Sequence, residues 1–328
     1  MKKIINKPEQ VVQDMLAGLA YAYSDKIKKL PQADVIIQKE FKQPQVALIS
    51  GGGSGHEPSH AGFVGDGMLS AAVCGAVFTS PTPDQIFEAI QAADQGQGVF
   101  LIIKNYSGDV MNFEMAKDLA EMEDIAVDYV VVDDDIAVED SLYTQGKRGV
   151  AGTILVHKIL GAAARRGASL EEIKALADQL VPQIKTIGVA LSGATVPEVG
   201  QPGFVLDDNE MEYGVGIHGE PGYRREALKP SKDLAEELIH KLKDAFDFQS
   251  GETYGVLVNG LGATPLMELF VFTHDIAQLF EAEHLTIPFK KVGDYMTAID
   301  MAGLSVTMIK LQDNWLDYLN ESVDTIAW

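Results

Sequence analysis

The segment "ISGGGSGHEPSH", residues 49–60, gathers groups that do chemistry at loop sites: glycines, serine, two histidines and a glutamate. Several chemistries compete for it. A P-loop requires G-x-x-x-x-G-K-[ST], and no lysine falls at that spacing. The dinucleotide fingerprint G-x-G-x-x-G fails too, because His56 stands three residues after Gly53. Anion binding by bare backbone amides after a strand stays open. "HEPSH", His56 to His60, formally matches H-E-x-x-H. That zinc chemistry needs both histidines on one helix face, and Pro58 and the preceding glycines oppose a helix. A further reading makes His56 an acid–base or substrate-binding group on a tight loop whose glycines allow close backbone approach to a ligand. A plain turn histidine is its rival.

Two other stretches bear on this choice. "GVGIHGEPG", Gly214 to Gly222, echoes the first segment, with "GHEP" at 55–58 and "HGEP" at 218–221. A cleft between two units, lined by one histidine from each, makes a natural ligand site. "KNYSGDVMNFEMA", Lys104 to Ala116, follows an apolar run and offers Lys104 and Asp109. Asp109 is also a candidate helix N-cap, with Ser107 and Asn112 as rivals.

Elements to position these groups are legible. Short β-branched runs predict strands at 46–50, 99–103, 129–133, 187–191, 254–259 and 305–311. Amphipathic runs predict helices at 83–95, 111–123, 149–167, 169–185, 231–246 and 264–283. Ser169 followed by Glu172 fits a capping box. Strands alternating with crossover-length helices predict α/β sheets, and ligand loops belong at the strands' carboxyl ends. Gly, Pro and Asp crowd the span 185–230, which reads as loops and short strands. The expected fold class is therefore α/β, with two α/β domains, 1–185 and 186–328, and the site at loops between them.

Composition narrows the function classes. The chain has 328 residues, 46% hydrophobic and 23% charged, as in ordinary globular proteins. A net charge of -22 opposes nucleic-acid backbones and anionic membranes as direct partners. The single cysteine, Cys74, allows no internal disulfide, favours a reducing compartment and reads as a buried inert thiol. The N-terminus lacks a signal-peptide apolar core, and no run approaches the roughly 18 apolar residues of a membrane span. A cytoplasmic protein is expected.

"GGGSGHEPSHAGFVGDGMLSAAVCGAVFTSPTPDQIFEAI", "NYSGDVMNFEMA", "VVVDDDIAVEDSLYTQGKRGVAGTILVHKILGAAA" and "MEYGVGIHGEPG" together resemble the K subunits of dihydroxyacetone kinases over nearly the whole chain. The resemblance implies that His218 holds dihydroxyacetone as a reversible covalent hemiaminal. It implies that His56 and Asp109 hydrogen-bond the substrate and share the acid–base work, with His56 the favoured base. Gly53, with Ser54 and Gly55, matches the substrate loop, and Lys104 matches the family's lysine. His60 is left as a structural histidine, and His157, His240, His274 and His284 as structural or surface groups. The chain ends without the helical nucleotide domain of ATP-dependent members, so it resembles the split type. That implies no cofactor on this chain. Magnesium–ADP/ATP would sit on a separate L subunit, recharged from phosphoenolpyruvate through a phosphotransferase-system M subunit. A homodimer is also implied. The competing reading is a dihydroxyacetone-sensing paralogue that coactivates a transcription regulator. A generic hydrolase or isomerase acting alone is the third.

Overall fold

The computed structural model describes residues 2–138, 146–220, 222–312 and 314–328. Their strands form two six-stranded sheets. The first contains β1 (Ile27–Lys29), β2 (Val35–Gln38), β3 (Ala47–Ser54), β4 (Ala71–Val77), β5 (Val99–Lys104) and β6 (Val127–Val132), ordered β1-β2-β4-β3-β5-β6. The second contains β7 (Ile184–Ala190), β8 (Glu210–Tyr213), β9 (Arg224–Ala227), β10 (Thr253–Gly260), β11 (Thr286–Gly293) and β12 (Gly303–Lys310), ordered β11-β10-β12-β7-β8-β9. The helices are α1 (Val11–Ala22), α2 (Pro83–Ala93), α3 (Ser107–Glu121), α4 (Thr153–Arg165), α5 (Leu170–Leu180), α6 (Ser231–Phe246), α7 (Leu266–Ala282) and α8 (Trp315–Asn320).

In the first sheet β3, β4, β5 and β6 are parallel, so their carboxyl ends open onto one edge. The second sheet is antiparallel apart from the β10–β11 pair. Side chains alternate between faces along each strand. On β5, Val99, Leu101 and Ile103 pack with α2 and α3, while Phe100 and Ile102 face the layer that holds α4. On β10, Val256 and Val258 pack with α6 and α7, while Leu257 faces the α4 layer from the other side.

Helix α4 therefore lies at the centre, and every residue from Thr153 to Ala164 is buried. A helix apolar on nearly all sides suits that position. Its amino end is held by Asp134, which accepts from the backbone of Val150 and Gly152 at 2.8 Å and from the Thr186 hydroxyl at 2.5 Å. Burial raises the Asp134 pKa to about 6. After the second sheet the chain returns: α8 packs on α4, and Arg165 pairs with Glu321 at 2.5 Å.

Most predicted elements are present, with shifted ends. The strand at 46–50 continues to Ser54, because Gly51, Gly52 and Gly53 pair with Val73, Cys74 and Gly75 of β4. The helix expected at 111–123 begins at Ser107, so Asp109 sits inside its first turn and does not cap it. The Ser169–Glu172 capping box is present, with reciprocal bonds of 3.2 and 2.8 Å. Helix α1 and strands β1, β2, β4, β8, β9 and β11 went unnamed in the sequence; β4, "AAVCGAV", is too rich in alanine and glycine to signal a strand.

Two glycines test how close α4 lies to its neighbours. At Gly161 an added Cβ would lie 2.3 Å from the Gly67 carbonyl oxygen, whereas exposed Gly18 in α1 has nothing within 4 Å. Gly18→Ala should stabilise by about 0.5–1 kcal/mol through helix propensity. Gly161→Ala should destabilise by about 1–3 kcal/mol through overpacking. Urea unfolding midpoints should move in opposite directions; a shared upward shift would mean that α4 is loosely seated.

Candidate active site

The carboxyl ends of β3, β4 and β5 and two loops of the second sheet converge on one pocket. Lys104 ends β5 with its side chain fully buried. A buried ammonium needs an acceptor for each proton. Lys104 Nζ donates to Gly51 O at 2.8 Å, His60 Nε2 at 3.1 Å and Asp109 Oδ2 at 3.4 Å. Gly52 makes room for it: a Cβ there would lie 2.3 Å from Nζ, and φ is +148°. The second Asp109 oxygen, Oδ1, is buried and has no partner among the described residues.

His56 follows β3, and its ring is set by the second sheet. The Thr297 carbonyl accepts from Nδ1 at 2.8 Å, and the backbones join through Thr297 N to His56 O (3.2 Å) and Ile299 N to Gly55 O (2.8 Å). A carbonyl only accepts, so Nδ1 carries the proton and Nε2 presents a lone pair. That Nε2 is buried and without a partner among the described residues. Burial, then the charge of Lys104, lowers the His56 pKa to about 3 and keeps the ring neutral.

His218 lies in the β8–β9 connection. Its ring meets His56, Phe78 and Tyr106 edge-on, at centroid distances of 4.9, 5.5 and 4.3 Å. Burial, then His56 and Lys104, holds its pKa well below the usual histidine range. Phe78 also stacks on His56 at 5.1 Å. The two Glu-Pro echoes have a common use. Glu57 accepts from Gly55 N at 3.1 Å and Glu220 accepts from His218 N at 3.0 Å, each bracing its histidine loop. Arg148 holds Glu220 at 3.3 Å, Asp135 at 2.6 Å and the Gly214 carbonyl at 2.6 Å.

The pocket thus unites His56, His218, Lys104 and Asp109. Gly53 lies so close to the Phe78–Thr79 backbone that a Cβ would come within 2.5 Å of Thr79 N, and Gly55 (φ +107°) lies against the Phe78 ring. Ser54 is there too, but its hydroxyl donates to Gly75 O at 2.7 Å and is committed to β4. Residues 57–60 form turns, not the helix that H-E-x-x-H requires, and His60 joins Lys104 rather than His56. Among the described residues no cluster of three His, Cys, Asp or Glu is placed to hold a metal ion. Sequence reasoning missed Phe78, Tyr106, Arg148 and Thr297. Tyr106 stood inside the quoted "KNYSGD" segment; Phe78, with its positive φ of 54°, gave no local signal.

His56 Nε2, Asp109 Oδ1 and the Tyr106 hydroxyl are three buried polar atoms without partners among the described residues. Buried polar atoms are normally paired, so three in one pocket point to a small polyhydroxylated or carbonyl ligand. Neutral imidazoles beside a carboxylate suit addition to a carbonyl and proton transfer to or from a hydroxyl. The Dak1 domain model matches residues 17–327. The chain belongs to the Dak1 family.

The comparisons cover the whole of this Dak1 chain. It is 69% identical over 328 residues, all of this chain and 99% of the relative, to the PTS-dependent dihydroxyacetone kinase, dihydroxyacetone-binding subunit DhaK, of Lactococcus lactis. It is 58% identical, with both chains fully covered, to the corresponding subunit of kinase 1 of Listeria innocua. It is 45% identical, over 99% of this chain and all of the relative, to the DhaKLM operon coactivator DhaQ of Lactococcus lactis. Among solved structures, a dihydroxyacetone kinase operon co-activator matches at TM-score 0.92 and 44% identity, covering 98% and 99% of the two chains. The dihydroxyacetone kinase of C. freundii matches at TM-score 0.89 and 34% identity, over all of this chain and 60% of that one. No helix among the described residues is long and apolar enough to cross a membrane.

The neutral imidazoles make stability depend on pH. His56 and His157 are fully buried with pKa values of about 3, and His60 is held well below 6.5. Their folded pKa values lie below the unfolded one, so the unfolded chain binds more protons and stability falls as pH drops from 6.5 toward 3. His56 and His157 each contribute about 1.4 kcal/mol per pH unit in that window, and His60 acts in the same direction. Asp134, Glu57 and Glu220, all raised by burial, act with the opposite sign. Between pH 6.5 and 5 Asp134 offsets less than His56 and His157 together remove. The urea midpoint should fall between about pH 7 and about pH 5. A flat or rising midpoint would show that these rings are charged in the native chain.

Proposed function

We propose that this chain is the dihydroxyacetone-binding subunit of a phosphoenolpyruvate-dependent dihydroxyacetone kinase. The observation that carries the reading is a neutral His218 set edge-on against His56 at 4.9 Å, in a chain 69% identical end to end to such a subunit. The lone-pair nitrogen of His218 attacks the ketone carbon. The carbon–oxygen π pair moves onto oxygen, the imidazolium gives up its proton, and the oxygen takes one up. The product is a neutral hemiaminal, and no atom is lost. The low His218 pKa keeps the nitrogen unprotonated, which attack requires.

Once captured, the substrate keeps two terminal hydroxyls. His56 Nε2 and Asp109 Oδ1 are the acceptors for them, and Lys104 holds the other Asp109 oxygen in place. Fixing a three-carbon substrate covalently converts phosphoryl transfer into a positioning problem. The phosphate donor, magnesium with ADP/ATP, belongs on this reading to a separate L subunit that covers the pocket, with no nucleotide on this chain. The site then lies between an N-terminal unit, 1–185, and a C-terminal unit, 186–328, of a homodimer subunit.

A second reading has its own support. The operon co-activator superposes at TM-score 0.92, so the same fold serves a sensor. The two are separated by turnover. Reconstitution with an L subunit loaded with magnesium–ADP and a phosphoenolpyruvate-driven recharging chain should yield dihydroxyacetone phosphate only when both subunits are present. Ketone capture without turnover across several L subunits would establish the sensor instead. His218→Ala should abolish the hemiaminal signal in carbon-13 NMR of labelled dihydroxyacetone while the chain stays folded. Asp109→Asn should retain capture and lower kcat on the order of 100-fold. Equal turnover of Asp109→Asn and parent would remove Asp109 from the reaction.

A further inference from the structure

Lys104 opens a buried polar chain that runs away from the substrate pocket into the core. His60 Nε2 faces Lys104 Nζ at 3.1 Å, and His60 Nδ1 faces His157 Nε2 at 2.9 Å. Both rings are buried, with His157 fully enclosed on α4. They meet edge-on at 5.1 Å, and Phe63 closes the far side at 6.5 Å.

The order of the protons follows from the lysine. An ammonium only donates, so His60 Nε2 must accept and His60 Nδ1 must carry the hydrogen. Nδ1 then donates to His157 Nε2, which must accept, and the remaining His157 hydrogen sits on Nδ1. That Nδ1 has no partner among the described residues, so nothing on its far side opposes this order. Burial first, then Lys104, keeps both imidazoles neutral, so two tautomers are the only choice each ring has. In the other tautomer His60 would turn an N–H toward the ammonium and push it from its seat beside Gly51 and Asp109.

We propose that His157 is a positioning residue for the reaction: by accepting the Nδ1 hydrogen that Lys104 imposes on His60 it holds the His60 ring in place, and His60 in turn fixes the Lys104 ammonium that orients Asp109. The kinetic half of this inference rests on the kinase reading, whereas the tautomer half does not. His157 touches no substrate. Its effect passes through two hydrogen bonds to the carboxylate whose free oxygen faces the pocket.

Selective nitrogen-15 histidine labelling tests it directly. In the parent chain, without ketone or L subunit, His60 should show Nδ1 protonated and Nε2 as the bare acceptor. His157→Phe should leave the His60 Nδ1 hydrogen without its acceptor, so that its proton resonance loses the hydrogen-bonded downfield shift while the tautomer, set by Lys104, stays the same. In the reconstituted kinase it should lower kcat on the order of tenfold, with hemiaminal formation at His218 unchanged. His157→Gln, which can offer an amide oxygen to His60 Nδ1, should restore much of the loss. A parent His60 protonated at Nε2 overturns the proposal even if His157→Phe fails to fold. So does a His157→Phe chain with an unchanged His60 Nδ1–H resonance or parental kcat. If the parent captures ketone but never turns over, the kinase reading fails, and the tautomer measurements still decide the relay.

Discussion

A single buried ammonium organises the pocket. An unpaired charge cannot be held in a protein interior, and breaking a buried pair costs several kcal/mol, on the order of 3–5. Lys104 therefore needs three acceptors, and each acceptor fixes a different part of the chain. The Gly51 carbonyl makes β3 run to its glycine end, where Gly52 can carry no side chain. Asp109 must sit in the first turn of α3, which requires that helix to start at Ser107. His60 must face back toward β5, which requires the turns that follow His56. The glycines, the early helix start and the proline-containing turn meet one electrostatic demand.

The two sheets also hold one another's histidines. His56 is carried by β3, yet its tautomer is set by Thr297, which follows β11. His218 is carried by the β8–β9 connection, yet its bracing glutamate is held by Arg148, which precedes α4. Neither sheet completes its half of the pocket alone. The buried helix α4 makes this exchange rigid, because it packs against both sheets at once and supplies His157 as well.

How much of this was legible follows from the range of the signals. Strands β3, β5, β6, β7, β10 and β12 announced themselves through β-branched runs, and His56, Lys104, Asp109 and His218 through glycine-rich or strand-end settings. The echo of "GHEP" and "HGEP" also had a physical basis, since both glutamates accept a loop amide. Illegible were contacts that depend on the meeting of distant segments. His60 and His157 lie 97 positions apart, and His56 and Thr297 lie 241 apart. The glycine run read as loop because glycine weakens strands in general; here the demand for close approach to Lys104 overrides that preference. Asp109 looked like a cap because Asp favours that position, but its Oδ2 is taken by the lysine and the helix begins before it.

The same burial that suits capture complicates deprotonation. On the proposed kinase reading a neutral His218 would attack a carbonyl without first losing a proton, so its low pKa favours that step. His56 is held at about 3, which makes its Nε2 a good place for a substrate hydroxyl to donate but a weak proton acceptor. A base works best when its pKa is near the operating pH. For His56 to take the proton as the hydroxyl attacks phosphorus, negative charge must arrive beside it. On the proposed kinase reading, the incoming phosphoryl group would bring such charge beside the Asp109 carboxylate. Division of the acid–base work between His56 and Asp109 would then follow from electrostatics: the imidazole would gain basicity only once the donor is seated, and before that it would serve as an acceptor that holds the substrate without ionising it.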